Sequence, residues 1–311
     1  MIKILITGAN GFIGSYLSQF LLQRGYAVTA AARQFHDSTK QLLVKAELIS
    51  LDVLNTEQLN KLSINADVII HTATANDIIS KNTLSGIELS AVGTKNILDF
   101  AVRNKIAKCM VFSTLQVYGT ELFGAIDENS LLNFQNDYGL NHLYAEMYAE
   151  MYTRLNKMQC VSVRPSNVYG RILTKSFNRW SLVPGCFCKE ALENGTITIK
   201  SSGKQMRNFI NLENLSRAVD CIVQHFPGKY ECYNLASSQA NTMMEVAEKV
   251  KTVYERMYNK EVQLNIAGTE PAVTNYFNIS LEKLNKIGFT ESKDYTLESE
   301  IEEIFNYLQT K

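Results

Sequence analysis

Short apolar runs alternate with stretches of helical spacing through the first half of the chain. Ile4-Leu5-Ile6 predicts a buried strand, and Tyr16-Leu17-Ser18-Gln19-Phe20-Leu21-Leu22 repeats its apolar positions at helical intervals. Ala27 to Ala32 predicts a second strand, Ala46 to Leu51 a third ending at Asp52, and Asp67 to His71 a fourth. Gly93 to Asn104 reads as part of a long helix, Lys108 to Ser113 as a strand, Tyr138 to about Leu155 as a second long helix, and Gln159 to Val163 as a further strand. This alternation predicts an α/β protein with a doubly wound parallel sheet covered by helices on both faces. Right-handed crossovers then place a ligand crevice at the carboxyl ends of the strands. After Arg164-Pro165 the rhythm loosens, with a polar stretch at Glu193-Asn194-Gly195 and no tandem repeat or low-complexity linker. The expected division is residues 1–165, with interleaved later segments, as a dinucleotide-binding domain. Residues 166–311 are expected to form mainly a smaller α/β substrate-binding lobe.

The junction between the first strand and the first helix reads Thr7-Gly8-Ala9-Asn10-Gly11-Phe12-Ile13-Gly14. Three glycines there have separate expected roles. Gly8 lets the chain turn sharply out of the strand, Gly11 lets backbone approach a pyrophosphate, and Gly14 lets helix and strand pack closely. The helix start, with Phe12 and Ile13, offers N–H groups and a partial positive charge to phosphates. The position of the glycines between strand and helix carries more weight than the triplet itself.

Composition narrows the partners. Lys plus Arg equals Asp plus Glu at 31 each, which argues against non-specific nucleic-acid binding. Hydrophobic residues make up 46% of 311 residues, enough for a sizeable core, yet no apolar run approaches a membrane span. The first strand is read from Ile2, so a signal peptide ahead of the fold is not expected. The six cysteines show no paired framework, and Cys186-Phe187-Cys188 has the wrong spacing for a zinc half-site. Reduced thiols, no metal site and a cytoplasmic location are the expectations.

The residue after the second strand selects between dinucleotides. A carboxylate there accepts from the adenosine ribose and repels a 2′-phosphate, whereas the sequence reads Ala30-Ala31-Ala32-Arg33. A guanidinium can donate two hydrogen bonds to a phosphate at once. Such a charged hydrogen bond contributes about 1.5–3 kcal/mol, or about 10- to 150-fold in affinity. NADP(H) is therefore favoured, with NAD(H) the alternative. Asp52 is expected at the adenine edge, with Val53, Thr72 and Ala73 lining the same cofactor cleft.

Further motifs follow in order. They are the strand Val68-Ile69-Ile70-His71, Gly93-Thr94, and Ser113-Thr114-Leu115-Gln116-Val117-Tyr118-Gly119. Tyr138-Gly139-Leu140-Asn141-His142, Arg164-Pro165-Ser166-Asn167-Val168-Tyr169-Gly170, Arg207-Asn208-Phe209-Ile210 and Leu215-Ser216-Arg217-Ala218 complete the set. Together with the N-terminal glycines they resemble, nearly end to end, an extended short-chain dehydrogenase/reductase with a Rossmann-type sheet. These are the nucleotide-sugar epimerases, dehydratases and reductases.

The resemblance implies roles for particular residues. Tyr138 matches the tyrosine of the Y-x-x-x-K motif and would be the general acid or base on a sugar carbonyl or hydroxyl. Thr114 would hydrogen-bond the same sugar oxygen, Asn167 would contact the substrate diphosphate, and Arg207 would face it. A homodimer through two long helices is implied as well. Chemically, a ketone being reduced develops negative charge on oxygen, which a phenol and a hydroxyl can stabilise and protonate.

Two departures alter the picture. His142 stands where the motif has lysine, on the same helical face as Tyr138 and one turn away. It is expected to touch the nicotinamide ribose, and with a free pKa near 6.5 to be partly charged. Second, Glu270-Pro271-Ala272-Val273 replaces the arginine and aspartate that relatives commonly carry, which makes a uridine nucleotide less secure. His71 is read as structural, Tyr144, Tyr148 and Tyr152 as a core or interface stripe, and Met243, Met244, Val246 and Ala247 as a buried helix face.

The expected function is an NADP(H)-dependent reductase of a keto-sugar nucleotide at carbon 4. The alternatives are an NAD-dependent epimerase and a degenerate, cofactor-binding regulatory or scaffold protein.

Overall fold

A computed structural model describes residues 1–174, 180–268 and 275–310. From the N-terminus, β1 (Lys3–Thr7) passes through the glycine turn into α1 (Phe12–Gln23). β2 (Ala27–Ala32), α2 (Asp37–Leu42), β3 (Glu47–Ser50), α3 (Thr56–Lys61) and β4 (Val68–His71) follow. Next come α4 (Thr83–Ile87), a π-helical turn at Glu88–Val92, α5 (Gly93–Arg103) and β5 (Lys108–Phe112). A 3₁₀ turn (Leu115–Tyr118), β6 (Gly124–Ile126), α6 (Asp137–Arg154) and β7 (Gln159–Pro165) complete the first half. The second half holds β8 (Asn167–Tyr169), α7 (Gly185–Asn194), β9 (Thr196–Ile199), β10 (Met206–Asn211), α8 (Leu212–Gln224) and β11 (Glu231–Leu235). It ends with β12 (Ala240–Thr242), α9 (Met243–Tyr258), β13 (Gln263–Ile266), β14 (Phe277–Ile279), α10 (Glu282–Lys286) and α11 (Leu297–Gln309).

Seven strands form one parallel sheet in the order β11-β7-β5-β4-β1-β2-β3. The strands read as apolar runs because both faces are covered. Ile4 and Ile6 of β1 belong to a core with Leu17, Phe20 and Leu21 of α1 and Leu215, Val219 and Ile222 of α8. Leu5, between them, points to the other core, with Ile97 and Phe100 of α5 and Ala145, Ala149 and Tyr152 of α6. This alternation of successive side chains is the strand period of two. The strand order reverses between β1 and β4, which is where an open α/β sheet makes its crevice.

Sequence and structure differ at several ends. β3 is shorter than the Ala46–Leu51 run, and β7 runs two residues past Val163 to Pro165. α6 starts at Asp137 because the Asn136 side chain caps it, accepting from the Gly139 N–H at 2.8 Å. The long helix before β5 carries the π turn, where the buried Ser90 hydroxyl accepts from the Ala75 N–H at 3.0 Å.

The second half builds a three-stranded sheet, β12-β10-β8, and the pair β13-β9. They surround a third core with Phe187, Val246, Ala247, Val250 and Ile301. Met243 and Met244 only pack on its margin. Interleaving goes deep, since β11 returns to the edge of the central sheet beside β7. All six cysteines are free, four of them buried. Among the described residues no helix is long and apolar enough to cross a membrane.

Candidate active site

The carboxyl ends of β1, β4, β5 and β7 open onto a cavity of about 1010 Å³. Every described residue that the sequence marked as a site candidate lines it. Glu270 and Val273 lie outside the described residues.

The glycines divide their work by geometry. Gly8 has φ +76°, and a Cβ there would sit 2.6 Å from Thr72 Oγ1 and 2.9 Å from the Ala73 nitrogen. Thr72 is held in place because its hydroxyl donates to the Thr7 carbonyl at 2.6 Å. A Cβ on Gly14 would meet the Gly8 carbonyl at 2.3 Å, so the helix could not pack onto the turn. Gly11 is different, since a Cβ there meets only the Gly8 oxygen, at 3.1 Å. Gly11 also lines the cavity, so a ligand can approach its backbone closely. No acidic residue occupies the first turn of α1. These features fit a dinucleotide pyrophosphate against Gly11 to Gly14. The hydroxyls of Ser113 and Ser166, whose residues also line the cavity, have no hydrogen-bond partner among the described residues.

At the adenosine end Arg33 is exposed just past β2 and makes no ion pair with a described residue. The Asp52 carboxylate is partly engaged, because its Oδ1 accepts from the Leu54 N–H at 3.0 Å and shapes the turn after β3. His36, unmarked by the sequence, lines the cavity near Arg33, and its N–H reaches Asn10 Oδ1 at 3.4 Å.

Thr114 follows β5 and caps the 3₁₀ turn, with its Oγ1 accepting from the Gln116 N–H at 3.2 Å. The hydroxyl proton is left for a group in the cavity. Tyr138 lies in the first turn of α6 and meets His142 edge to face, with ring centres 4.7 Å apart.

The structure corrects the expected charge of His142. The ring is 4% exposed, and its Nδ1–H donates to the Phe112 carbonyl at 3.1 Å. Burial pushes its pKa down to about 4, only partly opposed by the Phe112 carbonyl, Glu146 and the Ala75 carbonyl. A neutral imidazole therefore stands one turn below Tyr138 at pH 7. Sequence gave residue type and spacing, but not depth. His71 is also buried and neutral, pushed down to about 3 by burial and then by His142. It is bonded to Thr7 Oγ1 at 2.7 Å and Thr94 Oγ1 at 3.1 Å, which is a structural role.

At the opposite end of the cavity, Asn167 donates through Nδ2 to the Asn208 carbonyl at 2.8 Å, leaving one amide hydrogen free. Arg207 donates to the Thr120 carbonyl at 3.2 Å and to Gln205 Oε1 at 3.4 Å. Partial burial lowers its pKa, and nearby Glu121 opposes this. Neutral oxygens thus hold a cation on the cavity wall. Sequence reasoning missed the wall made by Thr74, Ala75, Asn76 and Asp77 after β4 and by Leu89 of the π turn. No local pattern marks a π turn.

A parallel sheet with a glycine cradle at its switch point, a cation past β2, and Tyr138 and Thr114 in the cavity wall fit a dinucleotide-dependent enzyme. The sequence profile of the NAD dependent epimerase/dehydratase family matches residues 4–236, and the chain belongs to that family. It is of the extended short-chain dehydrogenase/reductase type, and its relatives are NAD-dependent epimerases, dehydratases and reductases of nucleotide sugars.

The reactions of its relatives vary. The chain is 27% identical over 260 residues to the UDP-N-acetyl-alpha-D-glucosaminuronate decarboxylase of Bacillus cytotoxicus, covering 80% of this chain and 79% of that one. It is 27% identical over 273 residues to the dTDP-4-dehydro-6-deoxy-D-allose reductase of Streptomyces bikiniensis, covering 81% of each. In fold it superposes on the UDP-glucuronic acid 4-epimerase of Bacillus cereus in complex with NAD, with TM-score 0.83, 22% identity and 99% of both chains covered.

Proposed function

We propose that this protein is an NADP(H)-dependent reductase of a nucleotide-diphosphate keto-sugar, acting at carbon 4. The neutral His142 beneath Tyr138 carries this reading. A cation at that position would favour the phenolate and so a base. An imidazole held neutral by burial adds no such cation, which suits a phenol acting as proton donor in ketone reduction. Exposed Arg33, with no carboxylate at the end of β2, supports NADPH over NADH. The Streptomyces bikiniensis relative, a keto-sugar nucleotide reductase by name, supports the reaction class.

In this reading the pyrophosphate lies on Gly11 to Gly14 and the 2′-phosphate on Arg33. NADPH, when bound, supplies the hydride. Thr114 donates its hydroxyl hydrogen bond to the ketone oxygen and so orients the carbonyl. Tyr138 protonates that oxygen as negative charge develops on it. Arg207 and the free amide hydrogen of Asn167 hold the diphosphate.

Parallel titration of the purified protein with NADPH and NADH tests this reading, after a check for cofactor carried through purification. NADPH preference followed by turnover of a 4-keto-sugar nucleotide supports the reductase. Tightly retained NAD turns the reading to an epimerase, and binding of neither by a folded sample turns it to a non-catalytic relative.

We also infer a homodimer through α5 and α6, since Met147 and Met151 on α6 and Leu155 just past its end form an exposed apolar row at four-residue spacing. Light scattering should give twice the chain mass, and Met147→Glu/Met151→Glu should give the single mass with NADPH binding retained.

A further inference from the structure

A buried polar cluster lies behind the point where the site segments converge. Arg164 donates through Nε and Nη2 to the two carboxylate oxygens of Glu146, at 2.9 and 2.6 Å. Both residues are almost fully buried, at 5% and 3% exposed. The third arm of Arg164, Nη1, donates to the Tyr118 hydroxyl at 2.6 Å, and that hydroxyl donates to Asn234 Oδ1 at 2.9 Å. The guanidinium carbon also lies 4.9 Å from the centre of the Tyr118 ring.

Each partner sits on an element that carries a site residue. Tyr118 ends the 3₁₀ turn that Thr114 caps. Glu146 lies eight residues past Tyr138 and four past His142, on the same face of α6. Arg164 immediately precedes the cavity-lining segment Pro165 to Asn167. Apolar packing of a helix on a sheet is non-directional, whereas a bidentate guanidinium–carboxylate pair fixes distance and angle. A buried ion pair adds little net stability compared with apolar packing, and registry is the best-attested use of such a pair. His142 supplies a second pin, from α6 to the end of β5.

We propose that Arg164 and Glu146 are positioning residues, which through Tyr118 set the separation between the Tyr138 phenol and the Thr114 hydroxyl. This rests on the reading of Tyr138 and Thr114 as the pair that engages the sugar oxygen.

The variants are Glu146→Gln, Arg164→Lys and Tyr118→Phe. The last is the mildest, because it keeps the buried ion pair and the ring contact and removes only the hydroxyl's hydrogen bonds with Arg164 and Asn234. NADPH affinity should stay at the parent value in all three. With ring-labelled ¹³C-tyrosine, and Tyr138→Phe to assign the signal, the Tyr138 resonance of the NADPH complex should shift or broaden in each variant. On a keto-sugar nucleotide that the parent reduces, kcat should fall with KM unchanged, by about 100-fold where the misplacement reaches about 1 Å. An unmoved Tyr138 resonance in folded Tyr118→Phe and Arg164→Lys overturns the proposal. So does a parallel loss of kcat and NADPH affinity, which marks a merely structural cluster. If the parent reduces no keto-sugar, the reductase reading falls, and the tyrosine spectra still decide the positioning.

Discussion

Tyr138 stands one turn from an imidazole whose pKa burial pushes down to about 4, and its proposed part as proton donor rests on that neighbour. Tyr138→Phe should abolish turnover and leave NADPH affinity unchanged in a fluorescence titration. Turnover that survives would remove the phenol from the reaction. Arg33→Ala should weaken NADPH binding by about 10- to 150-fold, the worth of a charged hydrogen bond, and leave NADH binding alone. An equal loss for both would place Arg33 away from the 2′-phosphate. At this scale much was legible in the sequence. Arg33 is marked by type and by its position after a strand, and Thr114, Tyr138 and Asn167 by the family motifs they match. The charge state of His142 was not legible, because it depends on burial by segments 30 and more residues away, with Phe112 as its hydrogen-bond partner. Arg164, Glu146 and Tyr118 were hidden for the same reason. Each is an ordinary motif or helix residue until the fold brings them together.

Elements place these residues by backbone contact as much as by packing. The turn from β1 into α1 tolerates no Cβ at Gly14, where the neighbouring atoms are the Gly8 carbonyl and Ala9 Cα, both backbone. Gly14→Ala should therefore lower stability by about 1–3 kcal/mol, as overpacking does, and weaken cofactor binding. Thermal unfolding with and without NADPH measures both. Gly11→Ala should leave the unfolding temperature of the free protein near the parent value and still weaken binding. Strand and helix order could be read from apolar periodicity, because both faces of the sheet are buried and the runs are continuous. Ends were less legible. The start of α6 depends on the Asn136 cap, and the π turn before α5 depends on Ser90 bonding a loop after β4.

For the whole molecule, buried ionisable groups set how stability depends on pH. His71 and His142 have folded pKa values of about 3 and about 4, below the ordinary value near 6.5. The unfolded chain therefore takes up protons that the fold refuses, and stability is lost as pH falls from about 6.5 towards 4. Glu300 acts in the opposite sense. It is buried, pushed up to about 7 by desolvation, and its Oε2 accepts from the Arg171 N–H at 2.8 Å. Its protonated form suits the fold, so its contribution is lost as pH rises from the unfolded carboxyl range through about 7. Glu300→Gln should be more stable than the parent at pH 8, by on the order of 3 kcal/mol or less and so with a higher unfolding temperature, and should match it near pH 4.5. A scan showing no pH-dependent difference would mean that the carboxyl is solvated.

The position of β11 has its own consequence. This outer strand of the cofactor-binding sheet is made from residues 231–235, after two of the second half's helices have been laid down. A chain cut after Pro165 would leave β7 as a bare apolar edge, open to pairing with another chain. The segments before and after Pro165 are therefore not exchangeable cassettes. During synthesis the sheet stays incomplete until well past residue 235 has left the ribosome, so a nascent chain carries β7 as an open flank from Pro165 until Leu235 has emerged.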